Sequence, residues 1–152
     1  MLLATRLARP ITRRFFSTQA KPNLIQQMPE YQAALQFAVD HKYQDSLGKL
    51  EDTVVAVEKQ VGPNTKFHLF LYQRMASLHM LLHDLGGVEE KFKRSVEVAE
   101  STPVSLNPGM DQTASVFMWQ NNLLKFYLEH DVNKAIEYAK DLLDEHGAIL
   151  SS

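Results

Sequence analysis

Residues 116–147 read VFMWQNNLLKFYLEHDVNKAIEYAKDLLDEHG, and their periodicity predicts one helical hairpin. In the second half, Val132, Ala135, Ile136, Ala139, Leu142 and Leu143 stand at i, i+3, i+4, i+7, i+10 and i+11, a continuous stripe on a helix of 3.6 residues per turn. Asn133, Lys134, Glu137, Lys140, Asp141 and Asp144 occupy the other sides. A stripe of that length has to be buried against something. The first half is apolar over a wider arc, with Val116, Trp119, Leu123 and Phe126 flanked by Phe117, Leu124, Tyr127 and Leu128. Such an arc is expected of a helix with neighbours on two sides.

The hairpin resembles a tetratricopeptide repeat. That family has a large apolar residue or Trp early in its first helix, a small residue four later, an aromatic three further on, and Ala early in the second helix. Trp119, Leu123, Phe126 and Ala135 stand at those spacings, with Leu123 where the family usually has Gly or Ala, and the run DVNKAIEYAK at 131–140 resembles the opening of the second helix. The resemblance implies stacked hairpins whose first helices line a concave side and meet peptides or neighbouring subunits. Carried over position by position, the residues that would contact a partner are Phe117, Gln120, Leu124, Tyr127 and Leu128 in this hairpin, Arg74 and Ser77 in an earlier one, and Tyr31 in the first. Exposed together they would form an apolar partner site. The competing reading buries them between hairpins.

Upstream, the same periodicity predicts two more hairpins. Pro29 suits a first helical turn, and Tyr31, Ala34, Leu35 and Ala38 give one helical face. After a turn at 40–42, Tyr43, Ser46, Leu47, Leu50, Val54, Val57 and Val61 extend a second stripe, in which Gly48 is read as a close helix crossing. Gly62 and Pro63 end that helix, and Asn64 or Thr65 caps the next, predicted over 66–84. Gly86 and Gly87 are expected to supply the following turn, with a helix opening at Val88. Residues 101–110, STPVSLNPGM, form the longest irregular stretch. The second helices of the three hairpins then open at Tyr43, Val88 and Val132, spaced by 45 and 44 residues. The family period is about 34, so the hairpins are longer than its norm. The predicted fold is all-α: three stacked antiparallel helical hairpins in a TPR-like α-solenoid over 29–147, with residues 17–28 as a linker or loosely docked arm and 148–152 as a tail.

The N-terminal end carries an address. Residues 1–16 contain Arg6, Arg9, Arg13 and Arg14, no acidic residue, and apolar or hydroxylated residues between them. That is the composition of a disordered mitochondrial transit peptide. The RRFFST run at 13–18 resembles a matrix-processing site, so a mature chain is expected to begin near Ser17 or a few residues later. The full chain has 16 Lys and Arg against 18 Asp and Glu, and without the four arginines the balance is 12 against 18, a net charge of −6. An acidic protein is poorly suited to nucleic acid, whose binding rests on neutralising phosphates. A helical-repeat RNA-binding or mitoribosome-associated protein, the alternative reading, would need a basic stripe.

Catalytic constellations are not apparent. The absence of cysteine excludes disulfides, thiolate metal sites and cysteine nucleophiles. Neither a glycine-rich phosphate loop nor a nucleophile elbow occurs. His79 and His83, four apart and followed by Asp84, could share a metal on one helical face, but no third ligand stands at a fixed spacing. Acidic neighbours such as Glu89 and Glu90, or Asp144 and Glu145, read as a solvated face. No run is long and apolar enough to span a bilayer. The expectation is a non-enzymatic protein without cofactor or metal, binding other mitochondrial subunits in the matrix or peripherally on the matrix face of the inner membrane. Respiratory-chain and ATP synthase complexes, rich in small imported subunits, are the expected hosts.

Overall fold

The computed structural model describes residues 23–102 and 111–151, and among these it contains helices and no strand. The helices are α1 (Asn23–Gln26), α2 (Pro29–Val39), α3 (Tyr43–Val61), α4 (Lys66–Leu81), α5 (Leu85–Ser101), α6 (Gln112–His130) and α7 (Val132–Ser151). Each packs principally on the helix before it and the helix after it. None of the described helices is long and apolar enough to cross a membrane. The transit segment and residues 103–110 of the irregular stretch lie outside the described residues.

The local chemistry sets these boundaries. Pro29 occupies the first turn of α2. Gly62, at φ +84°, ends α3 in a backbone conformation that favours glycine. Ser46 on α3 donates its hydroxyl to the Ala34 carbonyl on α2 at 2.7 Å, which closes the first hairpin. In the second, Thr102 at the end of α5 donates to the Asn64 carbonyl just before α4, at 3.0 Å. The Thr102 contact joins the end of α5 to the start of α4 and so requires these two helices to run antiparallel. Between hairpins the seams are aromatic: Tyr31 of α2 meets Phe70 of α4 at 6.1 Å between ring centroids, and Phe92 of α5 meets Phe126 of α6 at 5.8 Å. The Arg74 guanidinium lies 4.7 Å from the Phe70 ring and 5.5 Å from the Tyr31 ring, so its cation faces both aromatic surfaces of the first seam.

Several expectations are corrected. The arm is not loosely docked at its end, because α1 packs on α2 with Ile25 in the core at 0% exposure, and Met28, the N-cap residue of α2, is buried as well. Helix α7 also continues through Ser151, where a tail was expected from 148. Gly86 and Gly87 do not make a turn; they lie in the first turn of α5, and the chain reverses at Leu82, His83 and Asp84, with His83 at φ +57°. With α5 opening at Leu85, the second helices of the hairpins are less evenly spaced than the stripes imply.

Gly48 is not a helix crossing, since a Cβ built there meets nothing within 4 Å. The close approach is at Gly87, where a Cβ would lie 2.2 Å from Nδ1 and 2.5 Å from Cγ of His79. Cγ is the root of the imidazole, so the ring has to leave its rotamer to make room. Opposite outcomes are therefore expected for one substitution type, read as unfolding free energies in urea. Gly48→Ala should stabilise by about 0.5–1 kcal/mol through helix propensity, and Gly87→Ala should destabilise by about 1–3 kcal/mol through overpacking. Equal shifts at both positions would contradict this account of the α4–α5 crossing.

Candidate functional site

The two helices of the last hairpin are held end to end by one residue. Asp131 ends α6, its backbone N–H reaching the Tyr127 carbonyl at 2.7 Å, while its carboxylate accepts the Lys134 N–H of α7 at 3.2 Å. With a single linking residue, the first turns of α7 lie against the last turns of α6. Ala135 is buried there, and Tyr138 packs edge-on against Tyr127 at 5.6 Å. Both phenols sit with acidic neighbours: burial and Glu89 raise Tyr127 to about 12, and burial with Tyr127 raises Tyr138 to about 12.

Glu89 joins this hairpin to the rest. Its carboxylate accepts from Lys134 of α7 at 3.0 Å, from the Tyr127 hydroxyl of α6 at 3.2 Å, and from Lys93 of its own helix at 3.0 Å. Burial alone would push the Glu89 carboxyl up, but these three donors outweigh it and hold it below the ordinary range. Sequence reading placed Glu89 on a solvated face; the structure makes it a clip between α5, α6 and α7.

The clip fixes which way the hairpin looks. Lys134 reaches from α7 to Glu89 of α5 and Tyr138 to Tyr127 of α6, while another flank of α7 is exposed among the described residues. That flank carries Val132, Ile136 and Leu143, exposed by 60%, 49% and 72%. On α6 the core side holds Ser115, Trp119, Leu123 and Phe126, and the outward flank carries half-buried Leu124 with Phe117 and Leu128, exposed by 55% and 57%. Both flanks belong to the last hairpin. Of the stripe expected to be buried from Val132 to Leu143, only Ala135 is buried, with Ala139 and Leu142 half-buried.

The residues carried over from the repeat resemblance divide accordingly. Phe117, Leu124 and Leu128 lie on the outward flank of α6. Tyr31, Arg74, Ser77, Gln120 and Tyr127 are buried within the chain. Val132, Ile136 and Leu143 belong to the exposed flank of α7 and were missed, because one stripe was assigned one buried partner. A signal was present: α7 carries two adjacent apolar rows, Ala135–Tyr138–Leu142 and Val132–Ile136–Ala139–Leu143, a wider arc than one neighbouring helix can cover.

No family model, curated protein or solved structure matches this chain. Its functional reading therefore rests on its own geometry.

His79 and His68 have structural partners. Helix α4 stops at Leu81, so His79 and His83 do not share a helical face as a metal pair would require. His79 Nδ1 lies 3.0 Å from Asp84, whose other oxygen caps α5 by accepting the Gly87 N–H at 3.0 Å. Among the described residues no group of three His, Cys, Asp or Glu side chains could hold a metal. His68, 1% exposed, forms a capping box with Thr65 at the start of α4. The Thr65 backbone N–H donates to His68 Nδ1 at 3.1 Å, which places the neutral ring's proton on Nε2, 3.4 Å from Glu58 in electrostatic contact.

Burial lowers the His68 pKa, and Glu58 only partly offsets it. The folded state thus binds fewer protons than the unfolded one below the ordinary histidine value of about 6.5. The stabilisation is present above that value and is lost as the pH falls from it toward the lower folded-state pKa. His68→Gln keeps a capping box in its usual Thr-x-x-Gln form without titration. Between pH 7.5 and 5 the wild type should lose stability relative to His68→Gln, with a limiting slope of about 1.4 kcal/mol per pH unit. Parallel pH profiles for the two proteins would remove His68 from this role.

Proposed function

We propose that this chain is a non-catalytic protein–protein interaction module of mitochondria, an accessory subunit or assembly factor that joins a larger complex through the exposed apolar flanks of α6 and α7. The observation that carries the reading is the exposure of large apolar side chains on the last two helices, Phe117, Leu128, Val132, Ile136 and Leu143 with half-buried Leu124, which the described residues leave uncovered. Exposed apolar surface of this kind marks a partner site. A TPR-like stack of three hairpins fits the same picture. Trp119, Leu123, Phe126 and Ala135, the four positions of the repeat signature, are all buried, and helices pack on their neighbours in chain order. The basic N-terminal composition supports import, and the acidic balance of the remainder favours proteins over nucleic acid as partners. The proposed location is the matrix or the matrix face of the inner membrane, with respiratory-chain or ATP synthase complexes as the hosts to examine first.

The test is the native size of the protein in gently solubilised mitochondria, followed by its peptides across a native gel. Co-migration with a large complex is the expected result. Migration at the size of the chain alone, with no partner recovered after cross-linking, would contradict the proposal.

A further inference from the structure

Helix α7 is held to the stack differently from the helices of the first two hairpins. Its principal neighbour is α6 alone. Over residues 132–145 only Ala135 is buried, with Tyr138, Ala139 and Leu142 half-buried, whereas α4 buries side chains from His68 to Leu78. Apolar burial is the main tie between a helix and its neighbours, and α7 draws little from it. The other tie is polar and gathered at its first turn. Lys134 reaches Glu89 of α5 at 3.0 Å, and Tyr127 of α6 donates to the same carboxylate at 3.2 Å. Lys93 fixes that carboxylate from its own helix at 3.0 Å. The Glu89 side chain is 19% exposed, so its pairing with Lys134 is less screened than a fully surface pair such as Lys49–Asp52. Asp131, the one residue between α6 and α7, is extended at φ −154° and ψ 91°, which interrupts the helical path. At that residue α7 can part from α6 without breaking the α6 helix.

From this division of ties we infer that α7 is a releasable strap, closing over Tyr127 as one unit, hinged at Asp131 and latched by the Glu89 carboxylate through Lys134. A helix of this length without tertiary contact is marginal in water, so a released α7 also melts. Release takes the Tyr138 ring, 5.6 Å away, and the Lys134 ammonium, 6.0 Å away, from the Tyr127 ring. It leaves in place the Phe92–Phe126 seam and the two hairpins before it, whose contacts do not pass through α7. Sub-global opening draws on the least buried part of a fold, and α7 is that part among the long helices. The latch makes the open population depend on one charge pair, so neutralising either partner raises it.

Native-state hydrogen exchange on the purified full chain, resolved amide by amide, reads the opening directly. Amides from Glu137 to Glu145 should share one level of protection, at least about tenfold below that of α4 between Leu71 and Leu78. Lys134→Met should lower protection across α7 by about threefold or more and leave α4 unchanged. Glu89→Gln should do the same from the other side of the latch. Lys140→Met removes the same charge from the same helix but not from the latch, and should change α7 by less than about twofold. Lys134 and Lys140 are both exposed, so these two variants keep the fold and their comparison stands even if Glu89→Gln does not fold. Protection in α7 equal to that in α4 would mean that α7 opens only with the whole chain, and would overturn the strap. Protection falling steadily from Glu137 to Glu145 would mean fraying from the chain end, and would overturn it too. Equal effects of Lys134→Met and Lys140→Met would overturn the latch.

Discussion

Trp119→Ala should lower the unfolding free energy by about 3–5 kcal/mol, the range for removing a fully buried large aromatic side chain. Trp119 is 0% exposed and lies one turn before Leu123, two before Phe126, on the side of α6 that faces the core. The Phe92–Phe126 contact on the same helix joins this hairpin to the one before it. A cavity at Trp119 therefore loosens the seam between hairpins as well as α6 itself. Against a total stability of about 5–15 kcal/mol for a domain of this size, that loss is a large share. The Trp119 Nε1 has no hydrogen-bond partner among the described residues. Trp119→Phe thus gives up ring volume but no hydrogen bond, and should cost well under half as much. Urea unfolding of the two variants checks both statements; equal losses would mean that the indole N–H, not the ring, is what the site requires.

A chain that begins at Pro29 should be less stable than one that begins upstream of Asn23 by upward of about 4 kcal/mol. The reason is α1. Ile25 and Met28 are both buried, and loss of a buried Ile or Met side chain costs about 2–5 kcal/mol each, summing only partly for neighbours. The short helix is tied down by the Met28 N–H on the Ile25 carbonyl at 3.0 Å and by the Gln32 amide on the Gln26 carbonyl. On the proposed import reading, a processing cut near Ser17 keeps Ile25 and Met28, whereas a cut beyond Ile25 removes part of the core. Thermal unfolding of chains beginning at Ser17 and at Pro29 separates the cases, and matching midpoints would show that α1 contributes nothing to the fold.

The parts of this fold that were legible in the sequence are those fixed by local chemistry and one-sided burial. Pro29 at a helix start, Gly62 at a helix end and Thr65 at an N-cap each express a backbone requirement that a few residues state by themselves. The stripes of the first two hairpins were readable for the same reason. What was not legible depended on geometry between helices. Gly48 and Gly87 look alike in a sequence, yet only Gly87 lies under a ring, because the α4–α5 turn brings His79 across it. Glu89 looks like any surface glutamate until Lys134 and Tyr127 arrive from helices nearly forty or more residues away. The apolar rows of α7 announce burial but not by whom. Periodicity measures the need for a neighbour, and it is silent on whether the same chain provides one.

That last point holds the central claim, that the exposed apolar flanks of α6 and α7 are where a partner sits. The most direct measurement places a photo-cross-linking amino acid at Leu143 in one protein and at Val39 in another, both carried in mitochondria. Leu143 and Val39 are similarly exposed, at 72% and 70%, but Val39 lies at the end of α2, in the first hairpin. Cross-links to one discrete partner from position 143 and not from position 39 are the predicted result. A partner captured from position 39 alone, or none from position 143, would contradict the account.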